Sequence, residues 1–168
     1  MKYSALHEHL DGGLRAKTII EIAKSKNISL PSKDEKELEN WFYENISTEK
    51  KQVFKKFEMT ISVMQDSDAI YRIAYEAVED LVLDGVLYGE LRYAPLQHLK
   101  EELSSQKVVD AVSQGVRDGE KDFGGEFYTI LCAMRQHQNS TEVAKLAIDN
   151  VNNKVIRFDL AGPEFNFP

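Results

Sequence analysis

The stretch Leu6-His7-Glu8-His9-Leu10-Asp11-Gly12-Gly13 carries the residues best suited to chemistry. On a β-strand, residues i and i+2 point to the same side. His7 and His9 then aim their imidazoles into one space while Glu8 turns away. Imidazole is the commonest metal ligand among side chains, so the pair points to a metal centre. Two histidines flanking one residue also arise by chance, and the rest of the chain must decide between the readings. Asp11 and the two glycines stand where the strand would stop and a loop begin.

The chain has 168 residues, enough for one domain with its own core, and its 42% hydrophobic content is ordinary for a globular protein. A net charge of −7 argues against a nucleic-acid surface, which needs clustered Lys and Arg. With a single cysteine, Cys132, no intrachain disulfide forms, in keeping with a reducing compartment. No apolar run reaches membrane-spanning length, and His7 comes too early for a signal peptide. These features make a cytoplasmic protein the expectation.

Four strands are predicted: Tyr3–Leu10, Val86–Tyr93, Glu126–Met134 and Val155–Ala161. Amphipathic helices lie between them. One runs over Lys17–Lys26, closed by Asn27 and Pro31. A capping box at Ser32 and Glu35 opens the next, to about Glu44. Ser47-Thr48 starts a third through Val53, Phe54 and Phe57, and Ser67-Asp68 caps a fourth that ends at Asp84-Gly85. Ser104-Ser105 precedes a helix with Val109, Val112 and Val116, and Ser140 caps the last, through Ala144, Ala147 and Ile148. Strands alternating with helices imply a parallel sheet of right-handed βαβ units. The first crossover holds more helix than a minimal one needs, which is where sites and lids are built.

Parity within the strands refines this. Ala5, His7 and His9 share a face, as do Tyr88, Glu90 and Arg92, and Arg157 and Asp159. Leu87 and Leu91, and Ile156, Phe158 and Leu160, take the opposite, helix-covered face. An open doubly wound sheet needs both faces apolar. A barrel with a polar lumen accommodates the charges, either as a site or as a structural ion network, since buried charges must be paired in any case. The four histidines, with Asp159, Gly162 and Glu164, follow the strand ends, the active face of a (β/α)₈ barrel. Taken singly, His98 and His137 read as exposed loop residues.

Four segments resemble the metal-dependent adenosine deaminase family, in its bacterial form: Leu6–Gly12, Gly89–Pro95 (Gly-Glu-Leu-Arg-Tyr-Ala-Pro), Leu131–Arg135 (Leu-Cys-Ala-Met-Arg) and Phe158–Glu164 (Phe-Asp-Leu-Ala-Gly-Pro-Glu). They occur in family order across nearly the whole chain. The resemblance implies an α/β fold, a (β/α)₈ TIM-type barrel, of which residues 1–168 supply about the first four strands as the N-terminal half of a single domain. It implies zinc-dependent hydrolysis of adenosine or deoxyadenosine to inosine and ammonia. His7 and His9 would be zinc ligands, with one zinc per complete site. His9 and Asp11 would border the nucleoside, Asp11 near the ribose 5′-hydroxyl. Gly162 would offer its N–H to the purine, and Val53, Phe54 and Phe57 would line the apolar mouth. Zinc lowers the pKa of its water, making hydroxide available near neutral pH for attack at C6. The His/Cys-x-x-Cys deaminases are excluded by the single cysteine.

The family pattern also needs a third zinc histidine, a His-Ala-Gly-Glu segment with the proton-transferring Glu, another His and a late Asp. None occurs here, so the catalytic residues are expected beyond Pro168, and the polypeptide is expected to be an inactive fragment as a monomer. Strands one and four would present open edges, pairing with a complementary C-terminal half or in a homo-oligomer. Two other functions stay open. One is a deaminase of another aminopurine, such as adenine or an N6-substituted adenosine. The other is a non-catalytic half-barrel interaction module.

Overall fold

The computed structural model describes residues 2–44, 50–164 and 167. Among them are four strands, β1 (Tyr3–His9), β2 (Val86–Tyr93), β3 (Glu126–Met134) and β4 (Val155–Ala161). All pair in parallel, in the order β1-β2-β3-β4. The strand order never reverses, as it would in a doubly wound sheet. Six helices accompany them: α1 (Ala16–Lys26), α2 (Glu35–Tyr43), α3 (Lys50–Val63), α4 (Ser67–Asp84), α5 (Ser105–Phe123) and α6 (Ser140–Asp149). The fold is the expected α/β arrangement, four successive strands of a (β/α)₈-type barrel with β1 and β4 at its edges. No helix among the described residues is long and apolar enough to cross a membrane.

The core lies between the sheet and the helices. Val86, Leu91, Phe127, Leu131 and Val155 from the strands meet Ile19, Ile70, Val78, Val109 and Val112 from the helices, all buried. Helices α4 and α5 approach closely because α5 offers no side chain at two positions. A Cβ on Gly115 would lie 2.4 Å from the Tyr71 carbonyl oxygen, and one on Gly119 would lie 2.8 Å from Val78 Cβ.

Several helix ends differ from expectation by a residue or two. Asp34, not Ser32, caps α2 by accepting the Glu37 N–H at 2.9 Å. Ser32 instead accepts from the Asp34 N–H and donates to the Glu37 carboxylate. Asp66, not Ser67, caps α4, accepting from Ala69 N–H. Ser140 is the first residue of α6, after Asn139. In each case a neighbouring polar side chain reached the orphan N–H groups first, or none did. Ser104 caps α5, and Asn27 and Gly85 close α1 and α4 in left-handed conformation, as expected. The expected start at Ser47-Thr48 lies outside the described residues.

Simple alternation fails at two places in the first strand pair. Ala5 aligns with Gly89 and Glu8 with Leu91, three steps on β1 against two on β2. This bulge sends Ala5 into the core, 7% exposed, away from the histidines it was expected to join. A second shift passes over Leu87, leaving it 47% exposed while Val86 is buried. On β4, Ile156, Phe158 and Leu160 are exposed rather than packed. Of the described helices only α6 packs substantially against that strand.

Candidate active site

The site forms where β1 ends. The N–H groups of Gly12 and Gly13 both donate to the His9 carbonyl at 3.0 Å, turning the chain sharply beyond the strand. A Cβ on Gly12 would lie 2.8 Å from Phe57 Cε1, so the turn needs glycine to pass under α3. His9 aligns with Arg92, placing both on the lumen side. His7, two residues back along the strand, faces the same side, its ring nitrogens within 2.8 Å of Arg92 Nη1. The two imidazole centroids are 5.2 Å apart, tilted by 54°.

Arg92 lies beneath the pair. Its Nη1 is 2.8 Å from the ring nitrogens of His7, it is paired with Asp159 of β4, and Nη2 lies 3.8 Å from Cys132 Sγ. Partial burial, the Arg92 charge and His9 hold the His7 pKa below its ordinary value of 6.5. The shift favours the neutral imidazole, the form that ligates metals. Deeper in the lumen, buried Glu90 accepts from Tyr88 Oη at 2.9 Å and lies 3.1 Å from Arg157 Nη1. The strand charges thus pair as an ion network, one of the two roles open to them.

Asp11 is 5% exposed and fixed on both sides. Its Oδ2 accepts the Ala94 N–H at 3.3 Å, and its main-chain carbonyl accepts from the Thr60 hydroxyl of α3. Its Oδ1 lies 3.8 Å from His9 Nδ1. Helix α3 is therefore tied to the loop after β1, with Phe57 meeting the His9 ring edge-on at 5.4 Å.

A cavity of about 190 Å³ opens here, and His9, Asp11, Phe54, Phe57 and Gly162 all line it. His7 adjoins it through His9 and does not line it. Val53, expected in the same mouth, faces a separate cavity of about 390 Å³ on the other side of α3, with Leu14 and Phe42. Tyr93, Met134 and Gln136 also line the smaller cavity, and these were not singled out in the sequence. Met134 lies within the Leu131–Arg135 segment, where its position at a strand end was the available signal. Gln136 sits against Gly162, whose Cβ would lie 2.5 Å from Gln136 Oε1. Gly162 has φ +100°, a conformation that favours glycine.

The other two histidines diverge. His137 is exposed, as expected. His98 is fully buried instead, with Nδ1 3.0 Å from the Met64 carbonyl oxygen. The end of α3 folds over the turn after β2 and covers it.

Two imidazoles on one tetrahedral zinc, with Zn–N near 2.0–2.1 Å, have centroids about 5 Å apart. The His7–His9 spacing of 5.2 Å fits that requirement. Arg92 can donate only to a bare ring nitrogen of His7, so a metal there and this hydrogen bond compete for one lone pair. No cluster of three or more His, Cys, Asp or Glu suited to a metal occurs among the described residues. The pair therefore fits two positions of a coordination sphere that normally takes at least three protein ligands at a catalytic zinc.

Comparison with known proteins identifies the family of the chain. The family model described as Adenosine deaminase matches residues 3–168. An adenosine deaminase of Mycobacterium marinum is 41% identical over 170 residues, covering 97% of this chain and 47% of that protein. The chain thus spans about half the length of the curated relatives it matches. Among solved structures, an adenine deaminase from Arthrobacter aurescens superposes with TM-score 0.83 at 22% identity, over 98% of this chain and 50% of that one. The N6-methyl-AMP deaminase of Arabidopsis thaliana superposes with TM-score 0.79 at 26% identity, over 97% and 50%. By the match of the family model along almost its entire length, the chain belongs to the adenosine deaminase family.

Proposed function

We propose that residues 1–168 form the N-terminal half of a single barrel domain that hydrolyses adenosine or deoxyadenosine to inosine and ammonia. The observation that carries this reading is the convergence of His9, Asp11, Phe54, Phe57 and Gly162 on one cavity beside His7. His7 and His9 hold a zinc ion, one per complete site. When bound, the ion supplies Lewis acidity that makes water nucleophilic near neutral pH. The chain's own residues bind and orient the nucleoside. Buried Asp11 accepts from the ribose 5′-hydroxyl beside His9, the Phe54 and Phe57 rings cover the purine, and the Gly162 N–H donates to the ring. The proton-transferring carboxyl group comes from the complementary half.

A second reading keeps the site and changes the substrate to an N6-substituted adenine nucleotide. The similarity to the N6-methyl-AMP deaminase supports it.

The test is steady-state turnover of adenosine, deoxyadenosine, adenine and N6-methyl-AMP by the 168-residue polypeptide, alone and assembled with a complementary C-terminal half-barrel. The expected outcome is adenosine turnover by the assembly and none by the piece alone. Preference for N6-methyl-AMP supports the second reading. An assembled, zinc-loaded protein inert on all four contradicts both. A stable dimer without zinc points instead to an interaction module.

A further inference from the structure

Three buried polar atoms around Asp11 have no hydrogen-bond partner among the described residues: Asp11 Oδ1, Tyr93 Oη and His98 Nε2. Tyr93 and His98 are 1% and 0% exposed, so bulk water does not satisfy them. Leaving such groups unpaired is costly, so a partner is expected. The three belong to one region. The Tyr93 and His98 rings are 6.4 Å apart. The Asp11 carboxylate is bonded to Ala94 N–H, the residue after Tyr93. The Asp11 charge reaches both rings, since it opposes ionisation of Tyr93 and favours protonation of His98.

Their chemistry is complementary. His98 Nδ1 faces the Met64 carbonyl, a pure acceptor, so the proton sits on Nδ1 and Nε2 carries a bare lone pair. Asp11 Oδ1 is also an acceptor, whereas Tyr93 Oη is a donor. One water molecule has two protons to give and a lone pair to receive the third. We infer that a buried water joins Asp11 Oδ1, His98 Nε2 and Tyr93 Oη, and that Tyr93 and His98 are positioning residues that aim the Asp11 carboxylate at the nucleoside 5′-hydroxyl. They act through Asp11 and touch no reacting atom. The inference rests on the nucleoside role proposed for Asp11.

Two measurements on the assembled, zinc-loaded protein test it. A high-resolution crystal structure should show one ordered water about 2.8 Å from each of the three atoms. A direct Tyr93–His98 hydrogen bond with no such water overturns the inference. In kinetics, Tyr93→Phe should cut the preference for adenosine over 5′-deoxyadenosine about fivefold or more, chiefly through KM for adenosine. Asp11→Asn should cut it too, and adding Tyr93→Phe to Asp11→Asn should change the ratio no further. Equal losses on both substrates mean a merely structural role and overturn the inference, leaving the deaminase reading intact. An assembly that turns over no adenosine before any substitution overturns both.

Discussion

His9 and Phe57 meet edge to face with ring centroids 5.4 Å apart. The strand that supplies the imidazoles and the helix that roofs the cavity are thus in direct contact. Phe57 also lies against Gly12, and Thr60 one turn further along α3 binds the Asp11 carbonyl. The helix is a wall of the site, locked to the β1 loop.

Phe57→Ala removes most of that wall. Loss of an aromatic contact surface weakens nucleoside binding without touching proton transfer. The expected result in the assembled enzyme is a rise in KM for adenosine of about tenfold, larger than the change in kcat. Initial-rate kinetics over a range of adenosine concentrations checks it. A change confined to kcat contradicts the placement of Phe57 over the purine.

Gly162→Ala strains the far wall. The residue has φ +100°, and its new methyl group would press on Gln136 Oε1 at 2.5 Å. The expected cost is about 1–3 kcal/mol of stability. Denaturant unfolding of the variant beside the unsubstituted protein measures it, and an unchanged midpoint contradicts the described backbone.

His98 makes stability depend on pH. Burial pushes its pKa below 6.5, outweighing the opposing pull of Asp11 and of the Met64 carbonyl. Above 6.5 the imidazole is neutral in both folded and unfolded chains and contributes no slope. As pH falls through 6.5, the unfolded chain takes up a proton that the folded one refuses. Stability therefore declines from there down to the folded pKa and levels off below it. Urea midpoints at about pH 7.5 and about pH 5.5 should differ, and by less in His98→Gln. An equal difference in both proteins contradicts the assignment.

Much of this was legible in the residues. Period-2 and helical patterns gave all four strands and the helices between them. His7, His9, Asp11 and Gly162 were marked by motif, and they gather at one rim. What was not legible depends on tertiary contact. The Leu6–His7 bulge is a feature of pairing with β2, so alternation along β1 wrongly joined Ala5 to the histidines. Val53, Phe54 and Phe57 share a helix, yet Val53 faces another cavity because α3 stands as a partition. His98 follows a strand like a loop residue, and only the end of α3 folding over it buries it. Tyr93 lies within the Gly89–Pro95 segment, but its role, like that of Gln136, arises from what surrounds it.

His7 and His9 are proposed to ligate one metal ion. Anomalous diffraction at the zinc edge from crystals of the assembled protein decides whether they do. A single strong peak about 2.0–2.1 Å from one nitrogen of each ring is expected. Zinc bound elsewhere, with both imidazoles free of it, would contradict the assignment.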